Sequence, residues 1–219
     1  DNIKTSDIQE TLIKASADLI SESTPNYQFV AGRLINYHLR KQVYGQFEPL
    51  KIIDHVKKVV DLGFYDKLLL EWYDEDEWRY LESCIDHSKD DNLTYAAMEQ
   101  FRRKYLVQNR STGTIYETPQ MAYMLIAATL FHKYDQTDRL KYVKDFYNAI
   151  SNFDISLPTP VMSGVRTSVR QFSSCVLIET GDSLESILEE GEDGKIVGEF
   201  RSSGLRPYTL EKARQFGFD

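Results

Sequence analysis

Apolar residues recur every three or four positions along this chain as far as Phe153, and beyond that point the pattern stops. This spacing places the apolar side chains on one face of a helix, so the sequence predicts consecutive amphipathic helices that each bury one face. After Phe153, the residues Pro158, Pro160 and Gly164 interrupt the helical pattern. We therefore expect a helical region followed by a second domain of different architecture.

Two capping-box signatures mark predicted helix starts. Ser6 and Gln9 form the signature that precedes a first helix at residues 7–20. Asp74 and Glu77 form the signature at the start of a later helix. The face of the first helix that we expect to be buried consists of Ile8, Leu12, Ala15 and Leu19. Further helices are predicted from Pro25 to Gly45, from Pro49 to Gly63, from Asn92 to Arg103, from Pro119 to Lys133 and from Thr137 to Ser151.

Strand signals are fewer and shorter. Tyr105–Val107 and Thr114–Tyr116 are rich in aromatic and β-branched residues and flank a turn-prone segment, so they predict a hairpin. Ser173–Glu179 is predicted to be a buried strand and Lys195–Phe200 a second one, ahead of a short helix at Pro207–Phe216.

Charge and apolar content argue against two classes of function. The net charge of -8 disfavours a protein that binds duplex nucleic acid through clustered Lys and Arg. The longest apolar run, Met121–Phe131, is shorter than the roughly 20 residues of a membrane span. Asp1 stands where Met would begin a natural chain and no signal segment precedes it, so we expect a trimmed or partial, non-secreted chain. Two cysteines, Cys84 and Cys175, fit a reducing cytoplasm.

Two neighbouring motifs carry a resemblance to a known family. Ile155–Thr167 reads ISLPTPVMSGVRT, and Arg170–Ile178 reads RQFSSCVLI. Together they resemble the first barrel strands of the class I ribonucleotide reductase large subunit, and the resemblance extends through Lys104–Val107, Tyr44–Pro49 and Ile3–Ile8 to cover residues 1–187. It implies a mainly α fold, in which a helical amino-terminal domain is followed by the first strands of an incomplete ten-stranded α/β barrel.

The resemblance also implies a division into four parts. Residues 1–45 correspond to the carboxyl-terminal remnant of an ATP-cone-like domain, residues 46–153 to the helical domain and residues 154–187 to the first barrel strands. Residues 188–219 match nothing in the family and are expected to be a non-homologous tail, either from an interrupted reductase gene or from a fusion.

The chemistry implied by the resemblance is the reduction of ribonucleoside diphosphates by a thiyl radical and a pair of redox cysteines. Cys175 is the expected member of that pair, whereas an isolated strand cysteine is otherwise a buried structural residue. Cys84 matches no catalytic position and is interpreted as a packing residue. Because the mechanism uses three cysteines, we expect the chain to be inactive alone and to need a complementary chain.

Substrate and specificity contacts follow from the same resemblance. Thr159, in a Pro-Thr-Pro turn, and Ser174 match positions that contact the nucleoside diphosphate. Asp182, Ser183 and Leu184 match the start of the site where a deoxynucleotide effector selects the substrate. The structural alternatives are ordinary turn chemistry for Thr159 and a helix N-cap for Asp182.

Regulation by ATP is implied at two further positions. Thr5 and Lys41 match residues that hold ATP in the family's activity-regulating domain, although an isolated lysine is more often only solvated.

No metal site is predicted in this chain. Its four histidines lie far apart in the sequence, and the acidic run from Asp74 to Glu77 is interpreted as a helix cap. The resemblance implies that a separate metal-containing small subunit supplies the radical, that thioredoxin or glutaredoxin supplies electrons, and that dNTP and ATP are effectors. The alternative is a non-catalytic helical module that retains the reductase sequence for interaction or regulation.

Overall fold

The computed structural model describes residues 3–169 and 171–172. Its helices are α1 (Thr5–Asp18), α2 (Tyr27–Tyr44), α3 (Ile52–Asp61), α4 (Leu69–Trp72), α5 (Glu75–Cys84), α6 (Tyr95–Gln100), α7 (Pro119–Phe131), α8 (Gln136–Ser151) and α9 (Thr159–Gly164). A 3₁₀ helix spans His87–Asn92, a π-helical turn at Phe101–Tyr105 continues α6, and the strands are β1 (Gln108–Asn109) and β2 (Thr114–Ile115). The predicted mainly helical architecture is confirmed for this part of the chain.

Helix α7 forms the centre of the core. Every residue from Pro119 to Thr129 is buried, as expected for a helix whose sequence is apolar on all sides. Pro119 occupies the first turn, where a missing N–H costs nothing. Helices α8 and α9 and the 3₁₀ helix pack against α7.

Helices α1 and α2 form an antiparallel pair beside this core. The ring nitrogen Nδ1 of His38 on α2 lies 2.6 Å from Oε1 of Gln9 on α1, so these two residues are level with each other in the pair. Helix α2 in turn packs closely on the segment before α6: a Cβ atom added at Gly32 would lie 2.2 Å from the carbonyl oxygen of Leu93. The close approach of these backbones therefore requires glycine at this position.

Several predicted helix boundaries are confirmed. Asp74 accepts a hydrogen bond from the backbone N–H of Glu77, whose carboxylate accepts one from the N–H of Asp74, which completes the predicted capping box. Gly45 ends α2 with a φ of 73°, a conformation that favours glycine. Helix α7 begins at Pro119, although the Thr118 side chain does not cap it and instead contacts the hydroxyl of Tyr44 at 2.9 Å.

The predictions for the first helix were wrong in two respects. Helix α1 begins after Lys4 without a side-chain cap, and the hydroxyl of Ser6 donates to Asp7, so no capping box forms. The face expected to be buried is exposed, with Leu12 half exposed, and Ile13 is the buried residue of α1. We call this exposed apolar surface, formed by Ile8, Leu12 and Ala15 of α1 and by Leu19 directly after it, the α1 face.

The strand predictions also required correction. The hairpin exists, but Gln108 pairs with Ile115 and Asn109 with Thr114, because the π-helical turn takes up residues as far as Tyr105. In residues 154–169, where the barrel was expected to begin, the structure contains helix α9 and no strand. The barrel strands are therefore not supported in the described part of the chain. The strand predicted at Ser173–Glu179 lies outside the described residues.

The two capping-box signatures, of which only the one at Asp74 forms a cap, make a matched prediction. Replacing Asp74→Ala should reduce the free energy of unfolding by about 1 kcal/mol, because the first N–H groups of α5 lose their acceptor. Ser6→Ala should leave stability unchanged within about 0.5 kcal/mol, since Ser6 does not cap α1. Urea unfolding of both variants measures the difference, and equal losses would contradict the assigned caps.

Candidate functional site

One buried carboxylate, that of Glu117, receives hydrogen bonds from three separate parts of the chain. The hydroxyl of Tyr65 donates to Oε2 at 2.7 Å, and the backbone N–H of Val107 donates to Oε1 at 2.6 Å. Nε of Arg166 donates to Oε2 at 2.8 Å, and its Nη2 donates to Oε1. Both members of this ion pair are fully buried.

The remaining donors of Arg166 also find acceptors. Nη1 donates to the carbonyl of Met162 at 2.5 Å, and Nη2 donates to the carbonyl of Tyr105 at 2.9 Å. The backbone carbonyl of Arg166 accepts the N–H of Asp66 at 3.0 Å. The guanidinium therefore joins α9 to the π-helical turn and to Glu117, which lies two residues before α7.

The charges of this cluster follow from burial and from the close pair. Burial disfavours a charged guanidinium, but the adjacent Glu117 carboxylate raises the pKa of Arg166, so the guanidinium stays charged. Burial, together with Glu117, raises the pKa of Tyr65 well above its usual value. Tyr65 is therefore a neutral donor to the carboxylate.

Thr159 is exposed at the start of the helix that this cluster anchors. It is the first residue of α9, and its carbonyl accepts a hydrogen bond from the hydroxyl of Ser163 at 2.9 Å. The predicted Pro-Thr-Pro turn is thus the first turn of a helix, because Pro160 suits an early helical position. Thr159 lies on the surface, seven residues before Arg166, which follows the end of α9 by two residues.

Thr5 and Lys41 lie at one end of the α1–α2 pair. Because Gln9 is level with His38 in an antiparallel pair, Thr5, one turn earlier, is level with the last turn of α2, where Lys41 is located. Nζ of Lys41 lies 4.4 Å from the ring centroid of Tyr37. The fold therefore brings these two predicted ATP contacts to the same end of the α1–α2 pair.

A polar cleft of about 390 Å³ opens next to this helix pair. Its lining residues are Glu10, His38, Gln42, Arg102, Arg103, Gln108, Gly113 and Ile115. Arg102 is paired with Glu10 at 2.8 Å and with Glu99 at 2.9 Å. Burial lowers the pKa of His38, although Glu10 opposes the shift. The charges of the cleft are thus largely balanced by its own side chains.

Comparison with known proteins identifies the relatives of this chain. Residues 91–170 match the family model described as "Ribonucleotide reductase, all-alpha domain", a range that includes both Glu117 and Arg166. The ribonucleoside-diphosphate reductase 1 subunit alpha of Escherichia coli is 60% identical over 187 residues, which are 85% of this chain and 25% of that protein.

The chain is similar to part of several ribonucleoside-diphosphate reductase alpha subunits, and its residues 91–170 match the all-alpha domain of ribonucleotide reductase. The alpha subunit of Enterobacteria phage T4 is 52% identical over 187 residues, 85% of this chain and 25% of that subunit. The alpha subunit of Helicobacter pylori is 28% identical over 200 residues, 91% of this chain and 25% of that subunit. The chain spans about a quarter of the length of these reductase subunits.

The remaining predicted reductase residues lie outside the described part of the chain. They are Cys175, Ser174, Asp182, Ser183 and Leu184, and their assignments stay predictions. Cys84 is partly buried against the hydrophobic core, as expected of a packing residue.

Neither metal-binding nor membrane-spanning features occur among the residues that the structure describes. Within them, no three His, Cys, Asp or Glu side chains are grouped closely enough to hold a metal ion. No helix in that same part is long and apolar enough to cross a membrane.

The anchoring cluster was not found from the sequence. Glu117 stands two residues before the predicted helix start at Pro119, where an acidic residue is ordinarily a surface group. Arg166 is one residue of the ISLPTPVMSGVRT motif, and that motif gives no sign of a buried ion pair. An acidic residue between the apolar Tyr116 and the core helix was the one available signal. The pairing itself joins residues 49 positions apart, which no local pattern indicates.

A second buried carboxyl group, that of Asp90, has a strongly shifted pKa. Asp90 lies in the 3₁₀ helix and is fully buried. Burial raises its pKa to about 7, although Gln120 and Arg40 favour the charged form. At neutral pH this carboxyl group is therefore partly protonated.

Loss of one member of the buried pair should be costly. Arg166→Met should reduce the free energy of unfolding by about 3–5 kcal/mol, because it leaves the Glu117 carboxylate buried without its cation. Arg79→Met removes an exposed pair with Asp76 and should cost less than about 1 kcal/mol. Urea unfolding compares the two variants, and similar losses would contradict the role of burial.

Asp90 should give stability a particular pH dependence. Its folded-state pKa of about 7 lies above the unfolded value of 3.8, so the folded protein binds more protons and its stability falls as pH rises between about 4 and 7. Asp90→Asn removes this contribution. The variant should gain stability relative to the wild type by up to about 1.4 kcal/mol per pH unit over that range. Unfolding at several pH values tests this, and a pH-independent difference would contradict it.

Proposed function

We propose that this chain acts as the amino-terminal part of a ribonucleoside-diphosphate reductase alpha subunit and works with a complementary chain that supplies the other catalytic residues. The observation that carries the proposal is the 60% identity over 187 residues with the Escherichia coli alpha subunit. The reaction is the reduction of ribonucleoside diphosphates to deoxyribonucleoside diphosphates. The match to the all-alpha domain at residues 91–170 supports the same assignment.

Cys175 carries the reductive half of the proposed chemistry. A thiyl radical on another cysteine takes a hydrogen atom from the ribose, which activates the 2′-hydroxyl to leave as water. At the end of the reaction that cysteine returns a hydrogen atom to the sugar, which regenerates the thiyl radical. Two thiols close to a disulfide and provide the two electrons and two protons that complete the replacement of hydroxyl by hydrogen. Cys175 is proposed as one of these thiols, and its partner comes from the complementary chain because Cys84 packs against the core.

Thr159 and Ser174 are proposed to hold the nucleoside diphosphate. A hydroxyl can donate to a phosphate oxygen, and the exposed position of Thr159 at the start of α9 leaves it accessible to a substrate. Asp182, Ser183 and Leu184 are proposed to begin the site for the deoxynucleotide effector.

Thr5 and Lys41 are proposed to contact ATP in the cone-like remnant at residues 1–45. Their location at one end of the α1–α2 pair supports a shared ligand, and an ammonium group is a suitable partner for phosphate.

Other partners follow from the proposed reaction. A separate metal-containing small subunit generates the radical, and thioredoxin or glutaredoxin reduces the disulfide after each turnover. The complementary chain supplies the radical-bearing cysteine and the second reducing cysteine.

A second candidate function is a non-catalytic interaction module derived from the same subunit. The observation that favours it is the exposed α1 face, since apolar side chains grouped on one helix face are typical of a contact surface. The two candidates differ in whether Cys175 takes part in turnover.

Replacement of the two cysteines separates these candidates. The chain is combined with a polypeptide covering the rest of an alpha subunit, with the radical-generating subunit, and with a nucleoside diphosphate and thioredoxin. Cys175→Ser should abolish multiple-turnover reduction, whereas Cys84→Ser should retain it. Reduction by Cys175→Ser at the wild-type rate, or no reduction by the wild-type mixture, would contradict the catalytic proposal.

A further inference from the structure

Helix α9 is too short to set its own position. It contains six residues, and isolated helices of fewer than about 12 residues are marginal in water. Its location must therefore come from tertiary contacts. Met162 and Val165 supply apolar contacts to the core, but packing of this kind tolerates small rotations and shifts.

The Glu117–Arg166 pair supplies the directional contacts that apolar packing lacks. The guanidinium is planar, and its donors are fixed in a fork, so two bonds to one carboxylate define its orientation. The same group bonds the carbonyl of Met162 within α9. Rotation of the helix about its axis would break this set of bonds together.

The distance from Arg166 to Thr159 converts small rotations into large displacements. Arg166 lies two residues after the end of α9 and seven residues after Thr159, a separation of about 10 Å at the helical rise. A tilt of about 10° at Arg166 therefore moves Thr159 by about 2 Å. A misplacement of about 1 Å can cost a factor of about 100 in an enzymatic rate. The position of Thr159 therefore depends on how firmly Arg166 is held.

We infer that Glu117 and Arg166 are positioning residues, which fix α9 so that the hydroxyl of Thr159 meets the diphosphate of the substrate. This inference rests on the proposed function and adds residues to it. Neither side chain touches the substrate, because both are fully buried. They act through the orientation of α9.

The test compares two ion pairs that differ in location. The double variant Glu117→Gln/Arg166→Met removes the anchoring pair while keeping side-chain volume, a replacement that buried pairs often tolerate. The matched control Glu77→Gln/Arg139→Met removes a second largely buried pair, which links α5 to α8 and whose ion pair does not include a residue of α9. Both are measured as the full chain in the same reconstituted reductase assay.

The expected results separate positioning from general stability. The anchoring variant should raise the KM for the nucleoside diphosphate about tenfold, with a smaller change in kcat, and amide exchange across residues 159–166 should accelerate at least tenfold. The control should leave both quantities unchanged within experimental error. Tyr65→Phe removes one donor to Glu117 without disturbing the pair and should raise the KM about twofold if the double variant does not fold.

Coupling to Thr159 provides the decisive measurement. Thr159→Val should raise the KM in the wild-type background but should have little further effect in the anchoring variant, because the hydroxyl is already displaced. Multiplicative effects of the two changes on KM, or an unchanged KM in an active anchoring variant, would overturn the positioning inference and leave the proposed function standing. An inactive wild-type mixture would overturn the proposed function and the inference with it, while amide exchange would still report whether the pair anchors α9.

Discussion

The buried ion pair between Glu117 and Arg166 is the constraint on which the arrangement around the core helix depends. A carboxylate removed from water requires compensating donors, and the surrounding chain supplies them from Tyr65, Val107 and Arg166. These donors come from segments far apart in the sequence, so satisfying one charge fixes the relative positions of the segment after α3, the hairpin and α9. Apolar burial alone would permit several such arrangements.

This constraint gives the helical region a mechanical role in the proposed reductase. The helices provide a rigid base, with α7 buried on all sides, and α9 is the short element that extends from it to the surface. The position of the Thr159 hydroxyl on α9 therefore depends on the Glu117–Arg166 pair, since so short a helix contributes little stability of its own. In the proposed reductase, the orientation of α9 sets the position of Thr159, the proposed substrate contact.

Local sequence signals succeeded where short-range physics decides the outcome and failed where packing decides it. The capping box at Asp74 and the glycine end of α2 at Gly45 were predicted correctly, because each depends on residues within one turn. The same signature at Ser6 failed, since α1 begins earlier and the hydroxyl bonds Asp7. The hairpin shifted because a π-helical turn, which lacks a local signature, takes up residues before β1.

The sequence by itself determined the helical character of the chain, most helix ends and the resemblance to reductases. Periodicity, caps and motifs each depend only on residues that are close together in the sequence. Only the tertiary structure decided that Glu117 pairs with Arg166, that Thr159 starts a helix and that the apolar α1 face is exposed. Each of these outcomes depends on which distant side chain comes within contact distance. A periodic pattern specifies that a face is apolar, and the rest of the fold specifies what lies against it.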